Sequence, residues 1–121
     1  MTKQVYKDSD CNISIIEDQT IAVIGFGIQG RAQALNLRDS GMKVIIGNVD
    51  DNYKKIAIQD GFDVFTIEES VKISSIILFL IPDESQKYVF EKYIKNHIKN
   101  NSLILFAHGY SLRYNKIQIP T

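Results

Sequence analysis

The run Thr20 to Ile24 (TIAVI) is β-branched and apolar, stops at Gly25, and opens directly into Gly25-Phe26-Gly27-Ile28-Gln29-Gly30. From Ile28 to Ser40 the spacing becomes helical, with Ala32, Ala34 and Leu35 predicted to face inward. A GxGxxG segment set between a buried strand and a helix restricts the chain to very few folds, because each glycine has its own task. The first permits a tight turn, the second lets backbone come close to a pyrophosphate, and the third lets helix and strand pack together. The helix that follows offers free N–H groups and the positive end of its dipole to phosphate oxygens. As a bare pattern the motif is weak, since glycine-rich turns chosen for packing also satisfy it. The strand before it and the helix after it are what point to a bound dinucleotide.

The rest of the chain repeats the same alternation. Gly41 ends the first helix, and Lys43 to Gly47 (KVIIG) reads as a second buried strand. Asp50 or Asp51 caps a helix over Tyr53 to Asp60, which Gly61 stops. Phe62 to Phe65 is a third, short strand, Glu68 to Lys72 a short helix and Ser75 to Ile81 a fourth strand. Ser85 to Ile98 is an amphipathic helix and Ser102 to Ala107 a fifth strand. Strands alternating with helices imply right-handed crossovers and a parallel sheet covered on both faces. The predicted fold is therefore α/β: a Rossmann-like, doubly wound parallel sheet in a single domain over residues 1–121, with residues 1–18 as a lead-in. A chain of 121 residues buries somewhat under about 70% of the surface it exposes when unfolded. That suffices for one core but not for two full domains, so a bipartite enzyme with its own substrate domain does not fit.

Charge and composition narrow the function further. With 14 Lys+Arg against 14 Asp+Glu the chain has no broad attraction for nucleic acid or anionic membrane, so a charged partner must be held by a local site. Cys11 is the single cysteine and cannot form an internal disulfide, and its immediate sequence holds no basic partner to make it a nucleophile. The polar N-terminus has no signal-peptide pattern, which predicts a cytoplasmic protein. The longest apolar run, Ile76 to Pro82, is far short of the roughly 20 residues of a membrane span.

A carboxylate near the end of the second strand, about 20 positions after the glycine loop, accepts hydrogen bonds from the adenosine ribose in NAD sites and repels the extra phosphate of NADP. Asp50 stands there with Asp51 beside it, in a loop from Asn48 to Tyr53 that holds neither Arg nor Ser. Capping of the next helix is the competing role for either aspartate. Lys54 and Lys55 act in the opposite sense, toward a 2′-phosphate. The balance favours NADH over NADPH.

Several further segments are not required by a generic Rossmann fold. They are Val5-Tyr6-Lys7-Asp8, the helix sequence from Gly30 through Asn36-Leu37-Arg38-Asp39-Ser40-Gly41 with Gln29 and Gln33, and Asp60-Gly61-Phe62. Leu80-Ile81-Pro82-Asp83-Glu84-Ser85-Gln86 and Phe106-Ala107-His108-Gly109-Tyr110 complete the set. In all of them the chain resembles the N-terminal dinucleotide-binding domain of ketol-acid reductoisomerase, also called acetohydroxy-acid isomeroreductase. The resemblance implies an enzyme of branched-chain amino-acid (isoleucine and valine) biosynthesis that uses two Mg²⁺ ions and NADPH, or less often NADH. Such an enzyme moves an alkyl group within a 2-aceto-2-hydroxy acid and then reduces the 2-keto group to give a 2,3-dihydroxy acid. It also implies that Phe26, Gly27, Ile28 and Gln29 line the cofactor phosphates and that Pro82, Asp83 and Gln86 lie along the cofactor. Within the loop from Asn48 to Tyr53, Asn48, Asp50 and Asp51 discriminate between cofactors, and His108 belongs to the active site. Position agrees for His108, which follows the carboxyl end of the fifth strand, where open α/β sheets bind ligands. A histidine capping the strand end or bonded to a neighbouring loop is the plainer alternative. His97 is predicted to be solvent-exposed and inert.

The chain departs from the family pattern at defined points. Ile28 replaces a common Ser, Ser111 an Asn, Asn115 a Gly, and Ile119-Pro120 a Pro-Pro pair. The all-helical domain that carries the family's Mg²⁺ ligands and much of its substrate pocket has no counterpart in these residues. Asp83-Glu84 and Glu68-Glu69 do not converge as a hard-cation cage requires, so no metal ligand is predicted here, and Asp83 is predicted as a helix N-cap. The expectation is a chain that binds nicotinamide dinucleotide without catalysing the full reaction alone, meeting Mg²⁺ and the 2-aceto-2-hydroxy acid only with a complementing domain. Two alternatives stand beside it: a non-enzymatic dinucleotide-binding or redox-sensing module, and half of an unrelated NAD(P) dehydrogenase. Exposed strand edges leave self-association open.

Overall fold

Strands covered on both faces carry apolar residues at successive rather than alternate positions. Ile21-Ala22-Val23-Ile24 and Ile76-Ile77-Leu78-Phe79 are buried without a break. A computed structural model describes residues 3–120. Strands β1 (Thr20–Ile24), β2 (Lys43–Gly47), β3 (Val64–Phe65), β4 (Ile76–Phe79) and β5 (Leu103–Phe106) form a parallel sheet in the order β3-β2-β1-β4-β5. β1 is central and pairs in step with β2, Thr20 with Lys43 through Ile24 with Gly47, and with β4, Ile21 with Ile76 through Ile24 with Phe79.

The helices are α1 (Ile28–Asp39), α2 (Asn52–Gln59), α3 (Ile67–Ile73), α4 (Asp83–Val89) and α5 (Tyr110–Arg113). Alternate strand residues feed two cores. Ile21, Val23, Ile46, Ile76 and Leu78 pack with Ala34 of α1, Ala57 of α2 and Phe62. On the other face Ala22, Ile24, Ile45, Ile77 and Phe79 meet Ile67 and Val71 of α3, together with Phe90 and Ile94. The doubly wound architecture predicted from sequence is the one observed. Coverage ends at β5, however, whose Leu103 and Leu105 remain 54% and 46% exposed.

Local chemistry explains the helix starts. Asp51 caps α2 by accepting from the N–H groups of Tyr53 and Lys54. Thr66 and Glu69 form a reciprocal capping box on α3, which begins one residue before the predicted Glu68. Four details differ from the sequence reading. Ala32 faces solvent, because Gly30, Ala34 and Leu37 at helical spacing define the inward side of α1. The N-cap position of α4 is held by Pro82, with Asp83 already in the first turn. The helix predicted to reach Ile98 instead passes from α4 into a π turn over Phe90–Ile94, closed by Lys95 N–H on Phe90 O at 2.9 Å, which buries both Phe90 and Ile94. Finally, His97 is half-buried rather than exposed.

Two 3-10 turns, Asp8–Asp10 and Ile13–Ile15, and the short α5 were not predicted. After α5, Asn115 adopts φ +52°, a left-handed conformation that glycine takes freely and asparagine tolerates. No helix among the described residues is long and apolar enough to cross a membrane.

Asp60 fastens α1 to the turn that follows α2. Its carboxylate receives Arg31 Nε at 2.7 Å, and its backbone oxygen receives Arg38, whose guanidinium lies 4.4 Å from the centre of the Phe62 ring. The hydrogen bond from Arg31 holds the Asp60 carboxyl below its ordinary value, against partial desolvation. A lowered folded value means that the contribution is present above the unfolded carboxyl range, near pH 4, and is lost as pH falls through the lower folded value. Asp60→Asn is therefore expected to lower the thermal midpoint at pH 7, with the difference from the parent shrinking as pH falls below the ordinary carboxyl range. A constant difference across that range, in melts followed by circular dichroism, would contradict this account.

Candidate functional site

The glycine loop lies at the carboxyl end of β1, where its two neighbours diverge: β2 leads into α2 on one face and β4 into α4 on the other. Ligands of open α/β sheets bind in the crevice that this divergence creates. Gly25 has φ +93°, and a Cβ there would come within 2.8 Å of Ile81 Cγ2 and 3.1 Å of Leu80 O. A Cβ on Gly30 would collide with the Gly25 carbonyl. Turn and packing thus account for the first and third glycines. Gly27 is different: its backbone is extended, φ −72° and ψ −158°, and a Cβ would meet nothing within 4 Å. Nothing inside the protein requires a glycine there. Without a Cβ, it leaves the space in front of the α1 N-terminus open. That terminus has no side-chain cap, and its first helical bond is Arg31 N–H to Gly27 O. Among the described residues, the preceding N–H groups of Gly27, Ile28, Gln29 and Gly30 have no backbone acceptor.

Two clefts flank this point. One, ≈ 360 Å³, is bordered by Gly25, Gly27, Asn48, Asp51, Tyr53 and Ile67. The other, ≈ 510 Å³, is bordered by Ile28, Gln29, Asp83, Gln86, Ala107 and His108. They share Gly27, Tyr53, Leu80, Ile81 and Pro82 and so adjoin at the middle glycine. Such a shape suits a molecule with two aromatic ends joined by a pyrophosphate. A larger groove, ≈ 670 Å³, runs beneath β5 past Lys95, Lys99 and Pro120, away from the glycine loop.

The structure separates the predicted residues by what their side chains do. Phe26 is 1% exposed and its ring meets Phe62 edge-on at 5.6 Å, so only its backbone can face a ligand. Ile28, 94% exposed, projects outward. Asp51 Oδ1 receives Tyr53 N–H, Lys54 N–H and Asn48 Nδ2, at 2.9, 3.2 and 2.8 Å, which commits it to capping. Asp50 remains: its side chain is 89% exposed, with Lys54 Nζ at 3.6 Å.

Gln86 is 2% exposed, and its amide is engaged by Ile81 O, Asp83 Oδ1 and Ser111 Oγ. His108 and Asp83 sit together on the second cleft, with Nδ1 to Oδ2 at 3.9 Å. Among the described residues no three His, Cys, Asp or Glu side chains group as a metal site. Tyr53, which borders both clefts, and Ser111 did not stand out in the sequence. Tyr53 carried one signal, its place in the loop after β2; Ser111 carried none, since its partner lies 25 positions away.

Comparison with known proteins agrees with this geometry. The family model described as acetohydroxy acid isomeroreductase, NADPH-binding domain, matches residues 15–121. A ketol-acid reductoisomerase (NADP(+)) of Sulfurisphaera tokodaii is 44% identical over 118 residues, covering 97% of this chain and 36% of the relative. One from Methanosphaera stadtmanae is 45% identical over 119 residues, again covering 97% and 36%. The chain therefore spans about a third of the length of these relatives. A solved NADH-preferring ketol-acid reductoisomerase from an uncultured archaeon superposes with a TM-score of 0.94 at 35% identity, over 98% of this chain and 38% of that one. A semialdehyde dehydrogenase NAD-binding protein from Cupriavidus necator, 17% identical with a TM-score of 0.74 over 84% of this chain and 37% of its own, shares the fold. With the family model covering all but the first turns of the lead-in, the chain belongs to the NADPH-binding domain family of the acetohydroxy acid isomeroreductases, the ketol-acid reductoisomerases.

Proposed function

We propose that this chain holds a nicotinamide dinucleotide across the paired clefts and serves as the cofactor-binding part of a ketol-acid reductoisomerase. The observation that carries this reading is Gly27, a glycine with no internal reason to be one, set before an uncapped helix N-terminus. Pyrophosphate oxygens would take up the free N–H groups of the first turn of α1 and gain from the helix dipole. The adenosine end would lie in the cleft beside Asn48 and Tyr53, and the nicotinamide end beside Pro82, Asp83 and His108. When bound, the cofactor supplies a hydride for reduction of a keto group. His108 would meet the substrate side of that site, with Asp83 beside it on the same cleft. We assign the Mg²⁺ ions and most of the 2-aceto-2-hydroxy acid pocket to a complementing domain, in keeping with relatives about three times as long as this chain. The compartment on this reading is the cytosol.

For cofactor choice we favour NADH. Asp51 gives Oδ1 to its helix cap, and Asp50, 89% exposed on the adjoining cleft with Asn48 and Lys54, is the carboxylate we assign to the ribose hydroxyls, where it would repel a 2′-phosphate. In a side-by-side calorimetric titration at low salt, NADH is expected to bind more tightly than NADPH. Asp50→Ala should weaken NADH about tenfold, the effect of losing one hydrogen bond to a charged group. Tighter binding of NADPH, lost in Lys54→Ala, would reverse the assignment.

Two glycine variants test the site itself. Gly30→Ala drives a methyl into the Gly25 carbonyl and is expected to cost about 1–3 kcal/mol of stability. Gly27→Val places its Cβ in open space; at this N-cap position it should cost no more than about 1 kcal/mol of stability while dinucleotide binding falls at least about tenfold. Undiminished binding by a folded Gly27→Val chain would remove the basis of the proposal.

A further inference from the structure

A closed circuit of contacts surrounds His108. Its Nδ1 lies 3.2 Å from the backbone N of Tyr110, with the N–H pointing at the ring nitrogen, and 3.9 Å from Asp83 Oδ2, beyond hydrogen-bond range. Asp83 Oδ1 in turn receives Gln86 Nε2 at 3.3 Å, and Gln86 Oε1 receives Ser111 Oγ at 2.6 Å. Ser111 adjoins Tyr110, is fully buried, and accepts Lys116 and Ile117 N–H groups on its own carbonyl. The first turn of α5 is thereby clamped to the end of β4, because Gln86 Nε2 also donates to Ile81 O.

Tyr110 is the first residue of α5, so its N–H has no partner within that helix, and the Gly109 N-cap offers no side chain. His108 Nδ1 takes the place of the missing cap. A nitrogen that accepts from a backbone N–H carries no proton itself, which leaves the proton of the neutral ring on Nε2.

We propose that Ser111 is a positioning residue: acting through Gln86, it sets the Tyr110 N–H against His108 Nδ1 and so fixes the imidazole as the Nε2–H tautomer, a hydrogen-bond donor. The ligand group that this nitrogen recognises is an oxygen lone pair, as on a carbonyl or carboxylate. A ring free to exchange tautomers would offer a donor only part of the time. This inference deepens the functional reading above and rests on His108 facing the bound ligands.

The test uses the whole ¹⁵N-labelled chain near pH 8.5, well above the range in which an ordinary imidazole titrates. The chain has 2 histidines, so His97 serves as the internal reference. Long-range ¹H–¹⁵N correlation is expected to show the pure Nε2–H pattern for His108, with Tyr110 amide exchange about tenfold slower than in His108→Ala. Ser111→Ala alone leaves Gln86 with a buried unpaired oxygen and risks the fold. The double variant Gln86→Met with Ser111→Ala replaces both partners by apolar groups and keeps the packing. In it, His108 is expected to revert to the tautomer mixture of a free ring and Tyr110 exchange to accelerate about tenfold, while His97 stays unchanged.

A parent spectrum with the proton on Nδ1 would overturn the proposal. So would a folded double variant that retains the parent pattern. Failure of NADH or NADPH to bind would instead strike the functional reading, since the tautomer is read without ligand.

Discussion

The third glycine of the loop lies directly on the carbonyl of the first, and this contact sets the geometry of everything at the mouth of the sheet. Gly25 is held from both sides, its N–H bonded to Gly47 O on β2 while Leu80 N–H bonds to Ile24 O from the β4 side. With the turn thus tied into the sheet, Gly30 can sit against it only because it has no Cβ. α1 is then fixed close over β1, with its first turn directed into the crevice. Interior packing at crystal-like density leaves no room to accommodate one additional methyl by drift.

From that anchor the two faces diverge. On one, Ala34 and Ala57 bring α1 and α2 down onto Val23 and Ile46. On the other, Gly47 admits α3 so closely that a Cβ there would strike Ser70 and come within 2.7 Å of Ile24 Cδ1. Close approach on both sides of β1 and β2 sets the glycine loop at the mouth of the sheet, with open space at Gly27 between the two clefts. The ligand groove therefore follows from the packing of the core and needs no separate loop to form it. Beyond β4, β5 is held by the backbone ladder, while α4 and α5 are joined by the buried side chains of Gln86 and Ser111. Such groups are costly to leave unpaired, so a small number of them can hold a short helix firmly.

The sequence revealed what is local and periodic. β1, the glycine loop, α1 and β2 are legible because their signals lie within a few residues: apolar runs, turn glycines, a capping aspartate. The same holds for Gly25 and Gly30, whose roles the structure bears out. What escaped was set by contacts between distant positions. Ala32 and Ala34 are equivalent in composition, and only the contact of Gly30 with the turn decides which side of α1 is inward. The π turn over Phe90–Ile94 leaves no mark in the hydrophobic pattern, because residues four apart share one face of an ordinary α-helix as well. α5 has four residues and no periodicity to detect. Departures from the family pattern also became readable only in three dimensions: Asn115 keeps a left-handed backbone in place of glycine, and Ser111 supplies a buried donor to Gln86.

In the loop after β2, one helix cap distinguishes two adjacent carboxylates. Two adjacent carboxylates and two adjacent lysines give a sequence reader no means of ranking them. Once Asp51 Oδ1 accepts two backbone N–H groups and the Asn48 amide, that oxygen is occupied and the side chain is oriented toward α2. Asp50, one residue earlier, is turned to solvent. Its partner Lys54 is 3.6 Å away with a side chain still 37% exposed. A pair this open to water holds weakly, so neither charge is locked to the other. On the proposed reading, a ribose diol would draw Asp50 away at little cost, whereas a 2′-phosphate would meet its negative charge beside Lys54, so discrimination would rest on the carboxylate that the helix cap leaves exposed.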